Sequence, residues 1–227
     1  MGPRGAVPLP PSPRRPRPAS PPRSSLAASQ PTQLVIASGN RHKVAEIGAM
    51  LDLVEVEVLP QPPDLEIEET GRSYAENARL KAETVARHSG SWALGDDSGI
   101  EVDALGGRPG LYSARYAPTD HERQHRLLKE LDGTLYRGAR FVTAMALADP
   151  GGTTVAEAEG LCYGRILDHP DGHGVGYDPL FHVREAGCSY ARMGPHLRSR
   201  LGSRGKAARA LAPALRQHLE LDDLIRR

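Results

Sequence analysis

Two consecutive carboxylates set between glycines, Gly95-Asp96-Asp97-Ser98-Gly99, are the residues of this 227-residue chain best suited to chemistry. Magnesium takes a few carboxylates and completes its shell with water and phosphate oxygens, so an acidic pair at a strand end suits that ion. One of the two could instead accept a proton from an attacking water. A tight turn is the competing reading, because aspartate, serine and glycine all favour turns. Adjacent aspartates on a turn repel, however, unless a cation lies close by. On these residues alone both readings stand.

Four other groups could contribute. Ser38-Gly39-Asn40-Arg41-His42-Lys43 joins a strand-like segment to a helix, where backbone N–H groups and Lys43 could hold a phosphate. It is not a P-loop, since the G-x-x-x-x-G-K-[ST] pattern is absent, and ordinary turn chemistry accounts for it taken alone. Glu66, Glu68 and Glu69 read as a solvated run near a positive helix end, or as extra metal ligands beside Asp97. Asn77 and Lys81, four apart, share one helix face that points either to solvent or to a phosphate. Gly172-His173-Gly174-Val175-Gly176-Tyr177-Asp178-Pro179 reads as backbone held near a ligand, or as a flexible hairpin loop. His169 and His173 lack the partners of a zinc site.

The elements that must position these groups alternate along the chain. Residues 34–37 read as a short buried strand, followed by a helix with Val44, Ile47 and Leu51 on one face. Residues 54–63 read as a strand entering a proline-rich loop. Ser73 and Glu76 predict a capping box that opens a second helix, and Gly90 predicts its stop. Short strands at 92–95 and 100–102 would flank the acidic turn. A helix near 120–131, strands at 141–148 and 155–167, and a last helix from about Lys206 complete the pattern. Mixed strands and helices without a repeat predict an α/β fold with a mixed sheet.

Composition narrows the class. An apolar share of 39% and a charged share of 25% are those of an ordinary soluble protein. No window reaches the run of about 18 apolar residues that a membrane span requires. Cys162 and Cys188 make no disulfide framework, so a reduced, intracellular protein is expected. Residues 1–32 hold five arginines, no acid and ten of the 20 prolines, leaving +1 − 5 = −4 for the remainder. That extension is expected to be disordered. Its arginines leave an organellar transit peptide open, its prolines oppose one, and a mis-assigned start codon is another account. A second basic stretch contains Arg192, Arg198, Arg200, Arg204, Lys206, Arg209 and Arg216. It reads as a solvated face, less often as a surface for nucleic acid or phosphate; few aromatics and an acidic remainder oppose nucleic acid.

Taken together and in order, these motifs resemble the inosine triphosphate pyrophosphatase family over about residues 33–215. The carriers are residues 38–43, Glu69-Thr70-Gly71, residues 73–78, Asp96-Asp97-Ser98-Gly99, residues 105–110, Ser113-Ala114-Arg115-Tyr116 and Gly176-Tyr177-Asp178-Pro179. The resemblance implies a long curved mixed sheet flanked by helices, with a nucleotide-binding cleft between two lobes of a domain spanning 33–227. It implies a homodimer, and the composition adds the expectation of a cytoplasmic protein that uses neither nucleic acid nor membrane. It implies magnesium-dependent attack of water on the α-phosphorus of ITP, dITP or XTP, giving the monophosphate and pyrophosphate.

By position, the resemblance makes Asp97 the general base and a metal ligand, with Glu69 (or Glu66) completing the metal shell. Ser38, Gly39, Asn40, Arg41, His42, Lys43 and Lys81 would hold the triphosphate, and Ser98 would touch the substrate. Val175, Gly176, Tyr177 and Asp178 would border the base, with Arg198, Ser203 and Arg204 reaching toward it. The chain departs from the family pattern at this end. Val175 stands for an aromatic, Arg198 for a lysine, Ser203 for a histidine, and Pro195-His196-Leu197 for acidic residues. Arginine for lysine keeps charge but not geometry. A shifted base preference, or a nucleotide-binding module without turnover, are the alternatives these departures raise.

Overall fold

The computed structural model describes residues 32–51 and 56–225, together with Gly2. Apart from Gly2 and Thr32, the proline-rich extension lies outside the described residues. The chain opens with β1 (Thr32–Ile36), α1 (Arg41–Met50), β2 (Val56–Pro60) and α2 (Tyr74–Ser89). There follow β3 (Trp92–Val102), α3 (Asp120–Glu130), β4 (Gly138–Ala148) and β5 (Thr154–Ile166). Two short strands, β6 (Phe181–Val183) and β7 (Cys188–Ser189), precede α4 (Pro195–Leu201) and α5 (Ser203–Ile225).

Seven strands form one open sheet in the order β2-β1-β3-β4-β5-β6-β7. The β1 pairings with β2 and β3 are parallel and the rest are antiparallel, so the sheet is mixed as expected. Near β1, the sheet buries Leu34, Leu94 and Leu147 against α1 and α5 on one face. On the other face Ala93, Ala144 and Ala146 meet Ala78, Ala82 and Val85 of α2. A separate core of Ile100, Val102, Leu127, Leu180 and Phe181 fills the far end of the sheet. The first two cores, on either face of the sheet, make one lobe and the third makes the other, and β3, β4 and β5 run through both.

The helix caps follow local chemistry. Asn40 accepts the N–H groups of His42 and Lys43 at the start of α1, and Ser73 accepts that of Glu76 at the start of α2. Glu76 reaches back to the Arg72 N–H rather than to Ser73, so the box closes one residue early. Gly90 ends α2 in a left-handed conformation, the residue type that does so at least cost.

The largest correction concerns residues 95–99, which form no turn. They are the middle of β3, laddered to β4 from Ala93↔Ala148 to Val102↔Ala139. Their glycines serve close packing. A Cβ on Gly95 would stand 2.1 Å from the Ala78 carbonyl oxygen of α2. One on Gly99 would stand 2.4 Å from the carbonyl oxygen of Gly110, in the 3-10 segment Gly110–Arg115. The basic stretch also differs from the sequence reading: it contains α4 and the start of α5, which begins at Ser203 rather than near Lys206.

Candidate active site

Strand alternation sends Asp96 and Ser98 to the face covered by α1 and α5, and Asp97 to the face covered by α2. Asp97, 9% exposed, accepts Asn77 Nδ2 at 3.0 Å and Lys81 Nζ at 3.1 Å. The shared helical face of Asn77 and Lys81 thus holds this carboxylate. Lys81 also donates to Glu69 Oε1 at 2.7 Å, and Arg115 donates to Glu69 Oε2 at 3.2 Å. Burial pulls the Lys81 ammonium down, but Asp97 and Glu69 outweigh it and hold Lys81 above its ordinary value. Partial burial likewise pushes Glu69 up, and Lys81 and Arg115 hold it below the usual carboxylate range. Glu66 and Glu68 are exposed.

On the opposite face Asp96 is 1% exposed and pairs with Lys43 at 2.6 Å and with Arg204 at 3.0 Å. Burial would raise the Asp96 carboxyl, yet these two cations hold it well below the usual range. Arg204 also donates to Glu46 at 2.6 Å and to Ser98 at 3.2 Å. Glu46, three residues after Lys43 on α1, was missed by the sequence reading; only that helical spacing pointed to it. Of the first motif, Ser38 is half-buried while Gly39, Asn40, Arg41 and His42 are exposed beside it. Nothing would lie within 4 Å of a Cβ on Gly39, which leaves that turn open to a ligand.

A cavity of about 310 Å³ opens on the Arg204 face. It brings together Ser98, Val175, Gly176, Tyr177, Asp178, Arg198, Ser203 and Arg204, the base-side group expected from sequence. Lys43, Lys81, Asp97 and Glu69 are not among its walls. Thr143, Asp120, Phe141 and Tyr190 are, and periodicity gave no sign of them. Burial pushes the Asp178 carboxyl up to about 6, even though Arg198 lies 3.0 Å away. Arg198 spends its fork on Asp178 and on the carbonyls of Met193 and Tyr190, three contacts that a lysine could not match. Ser203 Oγ lies 2.8 Å from Thr143 Oγ1, and Val175 is 72% exposed.

Three more cations of the basic stretch are partnered too. Arg192 pairs with Asp171, Lys206 with Glu185, and Arg209 donates to the Ser199 and Arg200 carbonyls at the end of α4. Much of that charge is therefore turned onto the protein itself.

Comparison with known proteins supplies the lineage. The model of the Ham1 family matches residues 34–214. A dITP/XTP pyrophosphatase of Nostoc sp. is 48% identical over 183 residues, covering 80% of this chain and 93% of that protein. One of Synechococcus sp. is 48% identical over 190 residues, covering 83% and 92%. The structure of a HAM1 protein from Coxiella burnetii superposes with a TM-score of 0.75 at 34% identity, covering 82% of this chain and 99% of that one.

Proposed function

This chain belongs to the Ham1 family, and from that premise we propose how its residues divide the work of hydrolysing a nucleoside triphosphate. The protein is a nucleoside triphosphate pyrophosphatase acting on noncanonical purine nucleotides of the ITP, dITP and XTP kind. Asp97 is the general base. Asn77 and Lys81 fix its two oxygens, leaving lone pairs free to take a proton from water. That water bonds to the α-phosphorus as the bridge to the β-phosphate breaks, and the electron pair leaves with pyrophosphate. Lys43 and Lys81, with residues 38–42 at the α1 N-terminus, hold the triphosphate charge.

The acidic donor set fits magnesium. Asp97 and Glu69 both lie within 3.1 Å of the same Lys81 ammonium, as near neighbours around one cation. Among the described residues no cluster of three or more His, Cys, Asp or Glu side chains could hold a metal, and magnesium asks for only one or two carboxylates. Held by Asp97 and Glu69, the ion would neutralise developing phosphate charge. Glu66, exposed, is not part of the assignment.

The cavity takes the purine, with Ser98, Arg198, Ser203, Arg204 and residues 175–178 around it. The observation that carries the reading is Asp97 fixed by Asn77 and Lys81, one residue from the Asp96–Arg204 pair that leads into the cavity. A relaxed base preference is the second reading. Val175 offers no aromatic face, and Ser203 already shares its hydroxyl with Thr143. A cytoplasmic homodimer that uses neither nucleic acid nor membrane belongs to the same proposal. Among the described residues no helix is long and apolar enough to cross a membrane. Sedimentation of the purified chain tests the dimer.

The deciding experiment measures pyrophosphate release across a panel of purine triphosphates, with Asp97→Asn as control. We expect turnover of dITP and XTP above dATP, and a loss of 10²–10⁴-fold, on the order of a general base's contribution, in the variant. Absence of turnover on every triphosphate would end the reading.

A further inference from the structure

We infer that Asp120 and Gln124, one turn apart on α3, are positioning residues that set base selectivity by fixing the 175–178 loop at the cavity wall. The inference rests on the reading of that cavity as the base site. Asp120 Oδ2 accepts the Gly176 N–H at 2.8 Å, and Gln124 Nε2 donates to the Gly176 carbonyl at 2.6 Å. Both polar groups of one backbone residue are thus held by side chains on one helical face. Asp120 also lines the cavity, and its neighbour Arg123 pairs with it there. The Gly176 bond is the main influence holding the Asp120 carboxyl below its usual range, so the contact is charge-assisted at neutral pH.

The loop needs such a clamp. Glycines at 172, 174 and 176 give it wide conformational freedom, and ordering such backbone is entropically costly. Val175 is exposed and contributes little packing. The base-facing groups of Tyr177 and Asp178 take their place from burial and from bonds made elsewhere: α3 to Gly176, the Tyr177 hydroxyl to the Ser113 carbonyl at 3.0 Å, and Arg198 to Asp178 at 3.0 Å. The helix does not depend on the clamp, because Thr119 and Glu122 close a capping box at its start and Leu127 is fully buried.

The test compares Asp120→Ala, Asp120→Asn and Gln124→Leu with wild type, using dITP and dATP. Loss of one such hydrogen bond should raise KM for dITP roughly tenfold, with kcat held within about twofold. The preference for dITP over dATP should fall by about the same factor, and Asp120→Asn, which keeps an acceptor oxygen, should retain part of it. Amide exchange at Gly176 in the unliganded protein should quicken on the order of tenfold. Unchanged selectivity, or a loss shared equally by both nucleotides, would overturn the inference. A wild type that cleaves neither nucleotide sinks the proposed function instead, and the Gly176 exchange rate then decides the clamp.

Discussion

Asp96 and Asp97 adjoin in the chain, yet their carboxylates leave opposite faces of β3, one toward Lys43 and Arg204 and the other toward Asn77 and Lys81. One peptide unit therefore separates a buried ion-pair centre from the proposed general base. Each carboxylate has its own cations, which removes the repulsion that two aspartates on one turn would suffer. The strand also fixes the spacing between the cavity face and the Asp97 face, because ten laddered positions with β4 hold it rigid.

Asp96→Asn should destabilise the protein by about 3 kcal/mol, since Lys43 and Arg204 would lose a buried counter-charge. Urea denaturation measures this. A change below about 0.5 kcal/mol, the size of an ordinary surface substitution, would show that Glu46 alone suffices for Arg204.

Glu69→Gln should raise the magnesium concentration needed for half-maximal turnover, roughly 10–100-fold for the loss of a group that shapes a metal site. Glu66→Gln should leave it in place. A magnesium titration of both variants separates the two acids, and equal behaviour would remove Glu69 from the metal site.

Asp178 gives a pH dependence of definite sign. Its carboxyl is raised from 3.8 to about 6, so the native state holds the proton more tightly than the unfolded chain. The corresponding stability is fully present below pH 4 and is lost as pH rises through 6. Relative to Asp178→Asn, the wild type should lose about 3 kcal/mol over that window. Thermal melts between pH 4 and 7 read the difference, and parallel curves would refute the buried carboxyl.

Gly95→Ala should cost about 1–3 kcal/mol or more, because its methyl would drive α2 away from β3. The same shift moves Asn77 and Lys81, so turnover should fall with stability. A variant as stable and active as wild type would contradict the close helix–strand contact.

Much of the frame was legible because it is local. Helical spacing located α1, and Ser73 and Gly90 gave the limits of α2. The acidic motif was found but misplaced, since its glycines carry no mark distinguishing a turn from a strand pressed by a helix. The helical spacing of Lys81 allows either a phosphate contact or a solvent-facing side chain, and the fold shows it buried between Asp97 and Glu69. Glu46, Thr143 and Asp120 had no motif, and chain folding alone brings them to the cavity.

Residue types and their order were enough to predict the α/β class, and the motifs taken together pointed to triphosphate hydrolysis through their resemblance to a known family, because backbone propensity and motif spacing are properties of the chain itself. Tertiary structure alone decided which face each aspartate serves, that Glu69 and Asp97 share the Lys81 ammonium, and that the basic stretch turns much of its charge inward. Those outcomes depend on pairings between residues from a few to more than 150 positions apart, such as Arg204 with Glu46, and no local pattern encodes them.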